Sequence, residues 1–419
     1  MWKGIVYDIL ILVFTPFLIW RYIIKRRAAG FCRRLLSFSI EKQISSPIWL
    51  HAVSVGEVIA LRGIVEFLRE SFPSLPLIIT TITSSGLKVA QANFSSLAKV
   101  MLLPLDLSFF SRRLVKALNP RIFIAVETEI WPNLFYFLQR NNTPIIIING
   151  RISERSFINY QKVKVFLRDY FAMIDFVFAK DEISQRRFVA LGVKKNKISV
   201  MGNIKFIKPS LNPNKLTQVR NICDSIRKDN QSLLLLAAST HSPEETMIIK
   251  IFSQLKTVFP SLRIMICPRH IERTGEILSA GEKLGWQAVR LSQNYSSAAD
   301  IVVLDKMGEL LYFYPQADIV LMGGSFVPIG GHNIIEPAFF GRPIVFGPHM
   351  DNFRDEAGLF IRNKAAWQVS SAQELRKVLD ELIKDSSLRL RRGQKAKRIV
   401  EGEAKKMRDS LEQLKEWIE

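Results

Sequence analysis

Residues 48–63 read IWLHAVSVGEVIALRG. An apolar run (Ile48, Trp49, Leu50) passes through His51 and small residues to Gly56 and Glu57, and helically spaced apolar residues follow. The pattern predicts a buried strand that leaves through a tight loop into a helix, one βα unit of a parallel sheet. Two uses of the carboxylate at the strand-to-helix junction are open. Ser54-Val-Gly-Glu57 fits the capping-box pattern, in which Ser54 caps the helix and Glu57 reaches back to the Ser54 amide. A negative charge in a first helical turn is also favoured by the helix dipole. The other use is chemical, and the rest of the chain has to decide between them.

At 419 residues the chain exceeds one ordinary core, so two domains are expected. Apolar residues make up 48%, enough for large buried sheets, and Lys and Arg outnumber Asp and Glu by 59 to 38, a net charge of +21. Such an excess points to an anionic partner: nucleic acid, anionic lipid or a phosphorylated substrate. Cys32, Cys223 and Cys267 are far apart, with no C-x-x-C, so neither a zinc site nor a disulfide framework is expected, and the thiols read as free in a reducing compartment.

The N-terminus is different in kind. Residues 9–20, ILILVFTPFLIW, are uncharged, and Arg21, Lys25, Arg26, Arg27, Arg33 and Arg34 follow. A full span takes about 20 apolar residues, so this run is short, and Pro16 can kink it. A signal peptide places its charges before the apolar stretch, whereas here they come after it. The positive-inside rule then keeps the basic segment and the body of the protein on the cytoplasmic face. Residues 1–34 are thus expected to anchor the chain at the inner membrane, where the basic segment meets anionic lipid headgroups.

Beyond the anchor, apolar runs alternate with helical patterns. Strands are expected at 47–53, 77–83, 100–104, 122–126, 144–148, 176–179 and 198–201, several rich in Ile and Val on both faces. A polar stretch at 208–231 with two prolines reads as a domain linker plus the lead-in to a second sheet. Further strands follow at 233–238, 263–266, 301–304, 319–322 and 343–346, then a charged helical tail at 371–419 that reads as a solvated face. The expectation is an α/β chain of two Rossmann-like, doubly wound domains, 35–207 and 232–419, facing a cleft. Ligands of such sheets bind beyond the carboxyl ends of the strands, and Glu57 sits at one such end.

Other residues stand at strand ends too. FIAVETEIWPN places Glu127 and Glu129 directly after a strand; two carboxylates at i, i+2 are more than a surface turn requires. GNIKF sets Lys205 between Ile204 and Phe206, where its charge is partly buried and calls for an anionic partner. MICPRH puts Arg269 and His270 after another strand, and Arg suits phosphate or carboxylate. LDKMGEL brings Lys306, Gly308 and Glu309. In MGGSFVPIGGHNIIEPA, Gly323, Gly324, Ser325, Gly330 and Gly331 lie between a strand and a helix starting near His332–Asn333. Such a loop is expected to offer backbone amides to a phosphate, with Glu336 one turn into the helix for ribose hydroxyls. The alternative is a tight turn followed by a helix-start acid. Neither a Walker loop nor G-x-G-x-x-G is present, so ATP and NAD are not implied. All five histidines are expected in loops after strands. None is spaced as H-x-x-x-H and D-x-D is absent, so no metal and no cofactor is expected. Charge stabilisation then falls to Lys, Arg and backbone amides.

Taken in order, HAVSVGE, VETEIWPN, NGRIS, GNIKF, PRH, DKMGEL and GGSFVPIGGHNIIEPA resemble the Kdo transferases, the 3-deoxy-D-manno-octulosonic acid transferases of lipopolysaccharide synthesis. The resemblance covers nearly the whole chain. It implies a GT-B fold, CMP-Kdo as donor, a lipid A precursor (lipid IVA) as acceptor and inversion at the anomeric carbon. It places the general base on Glu57 and transition-state stabilisation on Glu127 and Lys205. It places CMP contacts on Pro268, Arg269, Met307, Gly308, Glu309, Asn333, Ile334, Ile335 and Glu336. The alternative is another GT-B enzyme, a UDP-sugar transferase or a nucleotide-sugar epimerase. Nucleic acid is not expected, because the basic clusters lie in the anchor and the C-terminal helices rather than among exposed aromatics.

Overall fold

The computed structural model describes residues 6–9, 11–13, 44, 46–207, 211–227, 229, 231–293 and 299–419. The expected anchor, residues 1–34, lies outside them except at 6–9 and 11–13. Among the described residues no helix is long and apolar enough to cross a membrane. Asp8 is described: its carboxylate accepts from the Ser108 amide at 3.1 Å and from the Asn133 side-chain amide at 2.7 Å.

The chain divides into two compact units, residues 1–207 with 403–419, and residues 208–402. The first holds seven parallel strands: β1 Ile48–His51, β2 Leu77–Thr81, β3 Lys99–Leu102, β4 Ile122–Val126, β5 Ile145–Gly150, β6 Phe176–Ala179 and β7 Ile198–Val200. Their order is β3-β2-β1-β4-β5-β6-β7. Alternation along each strand sorts side chains onto two covered faces. Ile48, Leu50, Ile122, Ile124, Ile146 and Ile148 enter one core. Trp49, Phe123, Ala125, Ile145 and Ile147 enter the other. Apolar residues at every position are thus what a sheet buried on both faces demands.

The second unit repeats the plan with β8 Leu234–Thr240, β9 Arg263–Pro268, β10 Ala288–Arg290, β11 Ile301–Val303, β12 Ile319–Met322, β13 Ile344–Phe346 and β14 Ala366–Gln368. These are all parallel, in the order β10-β11-β9-β8-β12-β13-β14. Both sheets run outward from their first strand and then resume on its other side. The switch points are therefore β1/β4 and β8/β12, the places where such sheets bind ligands.

Two boundaries differ from the sequence reading. Most of the expected linker is a helix, Pro213–Ile226, capped by Asn212 and belonging to the second unit, where Val219, Cys223 and Ile226 are buried. The helical tail is not simply a solvated face. The long helix Ser386–Lys415 turns Met407, Leu411 and Leu414 inward, and with Ile418 they join the core of the first unit. Trp417 packs on Phe176 with ring centroids 6.0 Å apart. Each such buried aliphatic side chain contributes roughly 1.5–3 kcal/mol, which fixes the last 17 residues to the first sheet.

Candidate active site

In the first unit, Glu57 follows β1 and Glu127 follows β4, so the two carboxylates stand on either side of the switch point. Glu57 lies in the helix Val55–Ala60. The Ser54 hydroxyl accepts from its amide at 3.2 Å, and its own carboxylate accepts from the Val53 amide at 2.8 Å. The capping box therefore forms, but it closes on Val53 rather than on Ser54. The cap occupies Oε2 through one bond, and the side chain stays partly exposed. Capping and chemistry are compatible in this geometry.

Glu127 has φ +62°, the left-handed region that side chains with a Cβ rarely adopt. Its neighbour across the sheet edge, Asn149, has φ +52°, and the Glu127 amide donates to the Ile148 carbonyl at 2.9 Å. Two left-handed non-glycine residues at adjacent strand ends are local strain, which the surrounding sheet holds in place. Burial, with the negative charge of Glu57 adding to it, raises the Glu127 pKa; Arg151, Lys180 and Lys205 pull it back. Glu129 lacks such relief. Burial and the charges of Glu57 and Glu127 push it up to about 8, so it is largely a neutral carboxylic acid at pH 7.

Glu127 and Glu129 line an open pocket of about 370 Å³ with Thr128, Arg151, Ser153, Ser156 and Tyr160. Ser153 caps the helix Glu154–Lys162 through the Ser156 amide at 3.1 Å. Thr128 is fixed by donating to the Arg151 carbonyl at 2.6 Å. Lys205 sits in a short 3-10 turn, Ile204–Phe206, begun by the Asn203 side chain. The expectation of a partly buried lysine is corrected. Ile204 and Phe206 are the buried pair, and the Lys205 side chain is exposed while still acting on Glu127.

In the second unit, Pro268 ends β9 and Arg269 follows, exposed, its amide donating to the Thr240 carbonyl at 2.9 Å. Met307 and Gly308 are exposed, and Gly308 has φ +76°. Glu309 pairs with Lys215 at 3.2 Å. Asn333 closes an Asx turn onto the Ile335 amide at 3.0 Å and donates to Glu336 at 3.1 Å. The helix begins later than expected, at Ile335–Phe339, so Glu336 is its second residue. Ile334 and Ile335 are buried, leaving only their backbone for a ligand. Burial raises the Glu336 carboxyl above its ordinary range.

The glycine-rich loop also differs from the expected phosphate cradle. The buried carboxylate of Glu244 accepts from the amides of Gly324, Ser325 and Phe326 at 2.7, 3.0 and 2.8 Å, and from the His241 amide at 2.9 Å. The Gly323 amide donates to Ala238, and that of Gly331 to Gly324. The anion bound by these amides is the chain's own. Glu244 heads a helix four strands earlier in the chain, and only the fold shows that it serves this loop.

The histidines separate. His51 lies in β1 itself, fully buried, with Nδ1 2.9 Å from the Thr80 hydroxyl and its ring edge-on to Trp131. His241 and His332 meet across the second switch point, with His270 beside them. Among the described residues, no group of three or more His, Cys, Asp or Glu is placed to hold a metal ion.

Comparison with known proteins bears on the chain as a whole. The family model of the 3-deoxy-D-manno-octulosonic-acid transferases (kdotransferases) matches residues 26–208. The 3-deoxy-D-manno-octulosonic acid transferase of Haemophilus influenzae is 33% identical over 377 residues, 89% of this chain and 87% of the relative. That of Rickettsia typhi is 30% identical over 391 residues, 92% of this chain and 82% of the relative. A glycosyltransferase structure from Rickettsia africae is 15% identical, covers 89% of this chain and 99% of its own, and matches with a TM-score of 0.54. This last likeness is one of fold, two parallel α/β units of the GT-B kind. On identity sustained over nearly its whole length, the chain belongs to the Kdo transferase family of glycosyltransferases.

Proposed function

We propose that the protein transfers Kdo from CMP-Kdo to a lipid A precursor, lipid IVA, with inversion at the anomeric carbon. The reading rests on one observation above others: the carboxylates of Glu57 and Glu127 flank one switch point and act on each other electrostatically. The acceptor hydroxyl attacks the anomeric carbon and gives its proton to Glu57, whose free oxygen is the base. The anomeric centre becomes oxocarbenium-like as the bond to CMP lengthens, and the charged Glu127 carboxylate stabilises it. Arg151, Lys180 and Lys205 oppose the upward shift that burial and Glu57 give the Glu127 pKa. Lys205 also balances developing negative charge. The neutral acid of Glu129 and the hydroxyls beside it are suited to a sugar ring.

In the second unit, Pro268, Arg269, Met307, Gly308, Glu309 and the segment 333–336 hold CMP. Arg269 meets the phosphate, and the Glu336 carboxyl meets the ribose. Transfer proceeds without a metal or cofactor, because cationic side chains supply the charge. The N-terminal segment holds the enzyme at the cytoplasmic face of the inner membrane, where the +21 balance favours a phosphorylated lipid acceptor and anionic headgroups. The test is mass spectrometry of the product formed by the purified protein from CMP-Kdo and a tetra-acylated lipid A precursor. A mass gain of one or more Kdo units supports the reading. Transfer only from a UDP-sugar, or UDP-sugar epimerisation, overturns it.

A further inference from the structure

The second switch point holds an arrangement that the CMP contacts above leave unused. His241, just past β8, and His332, in the loop after β12, approach with Nε2 atoms 2.9 Å apart. Their ring planes differ by 6°, and their centroids are 5.1 Å apart. The centroids are farther apart than the nitrogens, so the rings lie nearly coplanar and meet end to end. One ring donates its Nε2–H to the bare Nε2 of the other.

Gly324 makes this possible. It has φ +63°, and a Cβ there would lie 2.8 Å from Cδ2 and 2.9 Å from Nε2 of His332. The loop is in turn pinned by Glu244. The pair is therefore built, not a chance meeting of surface side chains, and both rings keep some exposure.

The surrounding charges define what it can bind. Arg269, His270 and Arg273 follow β9, with His270 edge-on to His241 at 5.6 Å. The acids nearby belong to one helix, Glu244–Val258. Glu244 is spent on backbone amides; Glu245 pairs with Arg273 at 2.9 Å through one oxygen and pulls the His241 pKa upward, against the larger lowering effect of burial. Burial and this cationic neighbourhood lower the pKa of both rings, His332 to about 4, so the empty pair is neutral at pH 7. In a neutral pair, the ring that donates Nε2–H has an unprotonated Nδ1, the wrong polarity toward an anion. A proton from solvent on that Nδ1 turns it into a donor, and a bound anion compensates the charge that burial opposes.

We propose that His241 and His332 form a receptor for an anionic oxygen of the activated donor, and that the pair takes up a proton as the donor binds. The inference rests on the donor-site reading above. Phosphate and sugar carboxylate share the required chemistry, and the experiment separates them. Cytidine 5′-methyl phosphate and cytidine 5′-carboxymethyl phosphate are phosphodiesters that do not themselves titrate near neutrality. Each is bound to the full chain in a calorimeter, in buffers of different ionisation heat, between about pH 5 and 7.5, where imidazole titrates. Uncharged cytidine is the control.

Uptake rising toward about one proton per ligand is expected. Uptake with both esters assigns the pair to the phosphate, and uptake with the carboxymethyl ester alone assigns it to the carboxylate. No uptake with either, or equal uptake with cytidine, overturns the proposal. His332→Gln should abolish uptake and weaken binding by roughly tenfold to a hundredfold, the scale of a hydrogen bond to a charged group. The wild-type measurement stands even if that variant does not fold. The same preparations are assayed for Kdo transfer. Transfer without proton uptake sinks only the receptor, whereas uptake without transfer sinks the proposed reaction.

Discussion

The Val53 amide donates to the Glu57 carboxylate at 2.8 Å, so the end of β1 holds the proposed base through one oxygen. The capping role and the catalytic role can therefore be removed separately. Glu57→Gln retains a carbonyl oxygen for Val53 and should melt within a degree or two of the wild type. It should lose transfer by roughly two to four orders of magnitude, the scale of general acid–base catalysis. Glu57→Ala should lose the same activity and, in addition, about 1 kcal/mol of stability. Initial rates beside thermal melts decide it: a Gln variant that still transfers at full rate leaves Glu57 as a cap only.

Glu129 makes a prediction about pH. Its pKa is raised from the ordinary carboxylate range to about 8, so the folded protein holds a proton that the unfolded chain has lost. Between about pH 4.5 and 8 the native state binds more protons, and this residue makes stability fall as pH rises. Glu129→Gln cannot ionise and should remove that slope, leaving the variant the more stable of the two above about pH 8. Denaturant melts across this range measure it. Parallel curves for the two proteins would show that Glu129 ionises normally.

Much of this fold was legible because parallel sheets covered on both faces leave continuous apolar runs. Each of the twelve strands expected from such runs is present. The two that escaped, β10 and β14, are three-residue edge strands, each ending in a polar residue and too short to form an apolar run. The tail's attachment to the first unit was also hidden. Met407, Leu411, Leu414 and Ile418 read only as sparse apolar points among charges, and nothing local says which core they enter.

The site divides in the same way. Glu57, Glu127 and Arg269 could be read because strand ends are visible in the sequence. Glu129 could be singled out as the second carboxylate after a strand, but not its raised pKa, which comes from burial and from the charges of Glu57 and Glu127. Glu244 could not be read at all as the partner of Gly324, since they are 80 residues apart.

Glu244 should be costly to remove. Its carboxylate is buried and satisfies the amides of His241, Gly324, Ser325 and Phe326. Glu244→Ala leaves donors without a partner in a buried site, each worth roughly 1–3 kcal/mol, so a loss of about 3 kcal/mol or more is expected. Glu244→Gln keeps an acceptor but loses the charge, and should fall between. CMP affinity should decline in the same order, because the loop carries His332 and Asn333. Chemical denaturation and CMP titration of both variants check this. A stable Glu244→Ala protein with tighter phosphate binding would instead mean that the amides are better used on the ligand.

Asp8 separates two roles of the N-terminal segment. The proposed anchor should tether the enzyme without taking part in transfer, yet Asp8 accepts from the Ser108 amide and from the Asn133 side chain. Deleting residues 1–34 should therefore have two effects. Protein should be released from membranes, with transfer to acceptor in anionic vesicles falling because local concentration is lost. Stability should fall by about 1–3 kcal/mol, because two donors lose a charged partner. Asp8→Ala isolates the second effect: it should melt like the truncated chain but stay on the membrane. Transfer to a detergent-solubilised acceptor should persist in both, since Glu57, Glu127 and Lys205 are untouched. A truncated chain that is folded by circular dichroism yet inactive on the soluble acceptor would place the segment in the acceptor site and end this division of roles.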